Sequence, residues 1–94
     1  MGLEREMTKN EFDNLADKII ANGVRSSLGS TNGNYNFYRC VDGNIDYSLY
    51  DYGSDFAIIE IYYYARQIII TYRKNNSGLI SKKVDFNVLS CEGI

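Results

Sequence analysis

Asp46 and Glu60 are the two side chains in this 94-residue chain best placed for acid–base work. Each lies in an alternating stretch that reads as a strand. Adjacent strands would set the carboxyl groups side by side, as in glycosidases and nucleases. Nothing else points to catalysis. The chain has no histidine, no Ser or Cys next to a recognisable base, and no cluster with metal-ligand spacing. The expectation is therefore a protein without catalytic residues, metal or cofactor. Arg39 offers the two acids a plainer role, neutralisation, and contact with a basic partner is the other. Cys40 and Cys91 have neither metal-ligand spacing nor a secretory signal before them. They read as reduced thiols of a cytosolic protein, with a disulfide between them as the alternative.

Aromatic residues form the second group with chemical meaning. Tyr35, Phe37, Tyr50, Tyr52, Phe56 and Tyr62 are interleaved with Arg39 and with the acids Asp42, Asp46, Asp51, Asp55 and Glu60. These twelve residues are the candidate partner-binding set. Exposed aromatic patches of this kind mark interfaces. They also occur as ordinary surface tyrosines, or as the face through which a homodimer forms. A sheet presenting Tyr and Phe beside basic residues is how single-stranded nucleic acids are stacked. Here the sign is unfavourable: Val41 to Tyr64 holds five acids and no base, whereas Arg66 to Ile94 holds five bases and two acids. Acids among tyrosines suit a protein with a basic surface better, charge speeding the encounter and Tyr supplying burial.

These side chains need a sheet to carry them. The stretch Phe56 to Arg73, with six Ile, four Tyr and one Phe, is the most apolar in the chain and reads as two strands joined near Ala65-Arg66. Ahead of it, Thr8-Lys9-Asn10-Glu11 is a capping box, Met7 and Phe12 have the spacing of a hydrophobic staple, and Phe12, Leu15, Ala16, Ile19 and Ile20 recur at helical spacing. A helix over about residues 9–22 follows, with Gly23 as a left-handed C-cap. Residues 25–34 read as a loop, with phosphate binding a remote option, and 35–89 as the sheet. The fold expected is α+β, a single domain over 1–94 with the N-terminal helix on one face of a five-stranded antiparallel meander.

Turn chemistry proposes the register. A turn at Asp42-Gly43 pairs Cys40 with Ile45, Tyr38 with Tyr47 and Arg39 with Asp46. An odd loop around Gly53 pairs Leu49 with Ala57, Tyr47 with Ile59 and Ile45 with Ile61. A turn at Ala65-Arg66 pairs Tyr63 with Ile68, Ile61 with Ile70, Ile59 with Tyr72 and Glu60 with Thr71. Asn76-Ser77-Gly78 pairs Ile70 with Val84, Ile68 with Phe86 and Thr71 with Lys83. All four sort the residues alike. An apolar face running from Tyr38 to Val88 takes the helix; the opposite face collects the aromatic and acidic side chains. Five strands span about 24 Å and one helix is about 10 Å across, so the second face is expected to be uncovered.

Ten Lys and Arg against twelve Asp and Glu give a net charge of −2, too balanced for a general nucleic-acid binder. No run approaches a membrane span and the start lacks an apolar signal core, so a cytoplasmic protein with no membrane partner is expected. Ten Asn, eleven Ile, nine Tyr and no Pro or Trp suggest AT-rich coding in a low-GC bacterium or its phage. In size, composition, layout and the acidic tyrosine segment DGNIDYSLYDYGSD, the chain resembles the small phage-encoded inhibitors of host defence, such as anti-CRISPR proteins. That resemblance is one of profile, without a shared motif. It implies an inhibitor in the bacterial host cell whose acidic tyrosine surface occupies a basic nucleic-acid-binding groove. A single-stranded nucleic-acid module is the alternative, and a small acid–base enzyme the third.

Overall fold

The capping box at Thr8 starts the first element of the computed structural model, which describes residues 7–26, 35–53 and 56–89. Thr8 Oγ1 accepts from the Glu11 amide at 3.2 Å and Glu11 Oε1 accepts from the Thr8 amide at 3.0 Å, so helix α1 (Lys9–Asn22) begins with two otherwise unpaired amides satisfied. Its end differs from expectation. Gly23 is extended, with φ −99° and ψ −177°, rather than left-handed. Close approach explains the glycine instead: a Cβ here would lie 2.5 Å from the carbonyl oxygens of both Ile19 and Arg39. The chain passes directly from the helix to the sheet at this point.

Six strands follow, β1 (Val24–Ser26), β2 (Asn36–Asp42), β3 (Ile45–Asp51), β4 (Phe56–Tyr63), β5 (Ile68–Asn75) and β6 (Ile80–Asp85). They form one antiparallel sheet in chain order. The helix on an antiparallel meander is the fold expected. The strand β1 is additional, built from residues read as loop and paired Val24 to Arg39, Arg25 to Tyr38 and Ser26 to Phe37. The rest of that loop, and the phosphate reading with it, lies outside the described residues.

Two registers match the turn chemistry. Strands β4 and β5 pair Tyr63 with Ile68, Ile61 with Ile70, Ile59 with Tyr72 and Glu60 with Thr71. Strands β5 and β6 pair Ile70 with Val84 and Thr71 with Lys83, across a turn whose Gly78 takes φ +89°. The other two slip by two residues. Asp42 still belongs to the ladder, opposite Ile45, and Gly43 with φ +62° occupies the first turn position, where a type II′ turn requires glycine. Cys40 therefore faces Tyr47, Tyr38 faces Leu49, and Arg39 faces Ser48. Likewise the Tyr52 amide donates to the Phe56 carbonyl at 3.0 Å, which moves the β3–β4 turn along the chain and pairs Leu49 with Ile59, Tyr47 with Ile61 and Ile45 with Tyr63. A slip of two keeps every side chain on its face.

The core lies between α1 and one side of the sheet. Phe12 and Ile19 meet Leu49, Ala57, Ile59, Ile61, Ile68, Ile70 and Tyr72, with Tyr38, Cys40, Ile45, Tyr47, Tyr63 and Val84 around them. Burial raises the Tyr47 hydroxyl above its ordinary pKa. Three residues expected here are elsewhere. Ile20 is 41% exposed and Phe86 67% exposed. Strand β6 stops at Asp85, so Ile68 has no partner at Phe86, and Asn87 turns the chain with φ +60°. Val88 then donates its amide to the Gln67 carbonyl at 2.8 Å and accepts from the Tyr62 hydroxyl at 2.7 Å, on the face opposite the helix.

Candidate binding surface

The face opposite the helix is not uniformly open. Phe37, Asp46, Ser48 and Tyr62 are each at most 2% exposed, which corrects the expectation that this whole face meets solvent. Arg39 and Tyr64 close on Asp46, and the Val88 segment meets Tyr62. The register explains how, because large side chains on one face of a sheet reach their diagonal neighbours as well as those directly opposite.

Asp46 is diagonal to both Arg39 and Tyr64. Arg39 Nη2 donates to its Oδ2 at 2.5 Å, Arg39 Nε to both oxygens at 3.1 Å, and the Tyr64 hydroxyl to Oδ2 at 3.0 Å. The Asp46 side chain has no exposed surface while that of Arg39 is 41% exposed. Ionic hydrogen bonding to Asp46 raises the Arg39 pKa, and the bond from its hydroxyl to Asp46 raises that of Tyr64. Beside them the Tyr62 and Tyr64 rings meet edge to face with centroids 4.6 Å apart. Asp46 is thus neither a surface contact nor accessible as a proton donor or base. Glu60 is half-buried and accepts from the Tyr50 hydroxyl at 3.0 Å. It stands opposite Ser48, two pairs along the ladder from where Asp46 faces Tyr62.

Ser48 sits between Arg39 and Glu60 on the neighbouring strands, and both reach away from it. Its hydroxyl is fully buried and has no hydrogen-bond partner among the described residues.

The other end of the face is built of rings. Phe37 lies opposite Tyr50 with centroids 5.0 Å apart; Tyr50 is 5.7 Å from Tyr35, Tyr35 is 4.7 Å from Tyr52, and Tyr52 stacks on Phe56 at 4.1 Å. The Arg73 guanidinium closes the run, 4.3 Å over the Phe56 ring. Tyr35, Tyr50, Tyr52 and Phe56 are half-buried and Arg73 is exposed. Four of the candidate aromatics, Tyr35, Tyr50, Tyr52 and Phe56, therefore cluster at this end. Arg73 lies outside the candidate set read from sequence, although its signal is there: it faces Ile58, diagonal to Phe56. Tyr64 is a second residue that the sequence reading misses.

Of the remaining candidates, Asp42 is exposed at the β2–β3 turn, and Asp51 is half-buried with Oδ1 accepting from the Gly53 amide at 2.9 Å. Asp55 lies outside the described residues. Cys40 is a free, half-buried thiol, and Cys91 also lies outside them. Among the described residues no three His, Cys, Asp or Glu side chains gather as a metal site would need, and no helix is long and apolar enough to cross a membrane. No protein-family model, curated protein or solved structure matches the chain.

Proposed function

We propose that this chain acts by binding another protein, as a non-catalytic inhibitor or adaptor, with the ring-built end of the far face as its anchor. The observation that carries this reading is the unbroken run from Phe37 to Phe56 with Arg73 over its last ring. Tyr, Phe and Arg held by their neighbours lose little entropy on docking and bury large area, which is why such residues dominate binding energy. A phage-encoded inhibitor of host defence is the particular form we propose. In it Asp42 and Asp51 supply the charge that meets a basic partner surface, because Asp46 and Glu60 are engaged inside the sheet.

A second reading, single-strand nucleic-acid binding, is favoured by the Arg73–Phe56 stack and by the loss of Asp46 as a repelling surface charge. Affinity capture from a low-GC bacterial lysate, with and without nuclease, separates the two. The wild-type chain and a Tyr52→Ala/Phe56→Ala double variant are compared in parallel. A stoichiometric protein that survives nuclease and is lost from the variant supports the proposal; each ring is expected to contribute about 2 kcal/mol. Recovery of nucleic acid alone, or of partners released by nuclease, favours the second reading. Undiminished capture by the variant places the interface away from the rings.

A further inference from the structure

The end of the molecule that carries Tyr52 and Phe56 on one face has an open groove on the other, between α1 and strands β3 and β4. The groove encloses about 370 Å³. Phe12, Leu49 and Ala57, all buried, form its floor, and half-exposed Ile20 flanks it. Three carboxylates line it, Asp13, Asp17 and Asp51, against a single amine, Lys74. That imbalance is not made up among the described residues. Asp13 takes both nearby amines, Lys74 at 2.5 Å and Lys9 at 3.0 Å, and the bond to Lys74, with that to Lys9, holds its carboxyl below the ordinary range. Asp51 accepts one backbone amide; neither it nor Asp17 has a cation partner among the described residues.

Lys74 shows how a cation fits this groove. Its amine meets a carboxylate on one side and lies 5.2 Å from the centroid of the Phe12 ring on the other. An alkyl stem over an apolar floor with its charged head at an acidic rim is how long basic side chains bury. A hydrophobic acid, a phosphate or a bare apolar segment would leave Asp17 and Asp51 uncompensated. A basic side chain would not.

We propose that this groove receives a lysine or arginine side chain of the protein partner, with Asp17 and Asp51 as its counter-charges and the Phe12–Leu49 floor under its stem. The inference rests on the reading of the chain as protein-binding and adds the chemistry of the second contact. A partner gripping this end of the molecule would meet rings on one side of the β3–β4 turn and acids on the other.

The probe is a capped peptide of alternating arginine and alanine, titrated into the isotopically labelled chain by amide NMR, with the alternating glutamate–alanine peptide as control. The arginine peptide is expected to shift the amides of Ala16, Asp17, Ile20, Asp51 and Gly53, and the control to leave them in place. Asp17→Asn and Asp51→Asn should each weaken the titration about fivefold, as loss of one partly exposed charge pair does. The second of these substitutions keeps a side-chain oxygen for the Gly53 amide, so the turn survives it, and unchanged amide positions elsewhere confirm the fold of both variants. Tyr52→Ala/Phe56→Ala should titrate as the wild type does. Absence of shifts in the groove, equal shifts with the glutamate peptide, or affinity unchanged in both Asp→Asn variants overturns the proposal. Such a failure leaves the ring anchor standing, because lysate capture tests that separately; loss of capture in turn leaves the groove titration unaltered.

Discussion

Two ends of one sheet face, made from the same few residue types, do opposite things. Around Asp46, two tyrosines, an arginine and an acid close on one another, and the chain after β6 meets Tyr62, which is 1% exposed. Around Tyr52, tyrosines and an arginine stack in a row, and nothing among the described residues folds over them, so the rings stay half-buried. The difference lies in what each polar group finds. At the first end the Tyr62 and Tyr64 hydroxyls and the Arg39 guanidinium each have a carbonyl or carboxylate acceptor, on Val88 or Asp46, so these groups are committed to holding the fold. At the second, beside one bond from the Tyr50 hydroxyl to Glu60, the contacts are ring faces, which satisfy one another in part and leave area over for a partner. Composition alone marks both ends as binding surface; hydrogen-bond partners separate them.

Substitutions can break this comparison, and the largest effect belongs to the closed end. Asp46→Ala leaves Arg39 and Tyr64 without their acceptor and should cost about 3 kcal/mol in urea denaturation, the low end for breaking a buried pair because Arg39 is partly solvated. Tyr52→Ala removes two ring contacts and should cost about 1 kcal/mol in the same assay while weakening capture by about 2 kcal/mol. Equal losses at the two positions would erase the distinction between a structural and a binding end.

Tyr62→Phe sharpens the role of the Val88 segment. Loss of one hydrogen bond to its carbonyl should lower stability by about 1 kcal/mol and speed hydrogen exchange at the Val88 amide. Unchanged exchange would mean that this segment is held by something other than Tyr62. Ser48→Ala should move stability the other way, raising it by about 1 kcal/mol or slightly less, since the hydroxyl removed is buried without a partner among the described residues. A loss instead would reveal a bond that this hydroxyl makes in solution.

The smallest effect is that of alkaline pH. The Tyr64 pKa is raised above its ordinary 10.0, mainly by its bond to Asp46, so the protonated form is favoured in the folded state. Its contribution is therefore full below pH 10 and fades as pH rises through the higher folded value. A urea midpoint that begins to fall only above pH 10 in the wild type, and less steeply in Tyr64→Phe, is the expected result.

Local sequence by itself determined the helix, from the box at Thr8 to Asn22, and the face on which each residue of β2 to β6 lies. Capping is written within four residues, and the alternation of a strand has a period of two, so neither needs distant information. The Gly78 turn and the β4–β5 register were also legible. The other two registers were not, because a slip by two residues leaves alternation and apolar matching nearly unchanged and only the exact place of the turn distinguishes them. Strand β1 is too short to carry a period and exists because β2 offers it an edge. Which tyrosines are buried was decided furthest from local sequence. Tyr62 is sealed by a carbonyl twenty-six residues away, and Asp46 by donors on its diagonals, whereas Tyr52 and Phe56 stack on each other with Tyr35 and Arg73 beside them. Burial is a property of what the rest of the chain brings to a residue, and only the assembled sheet brings it.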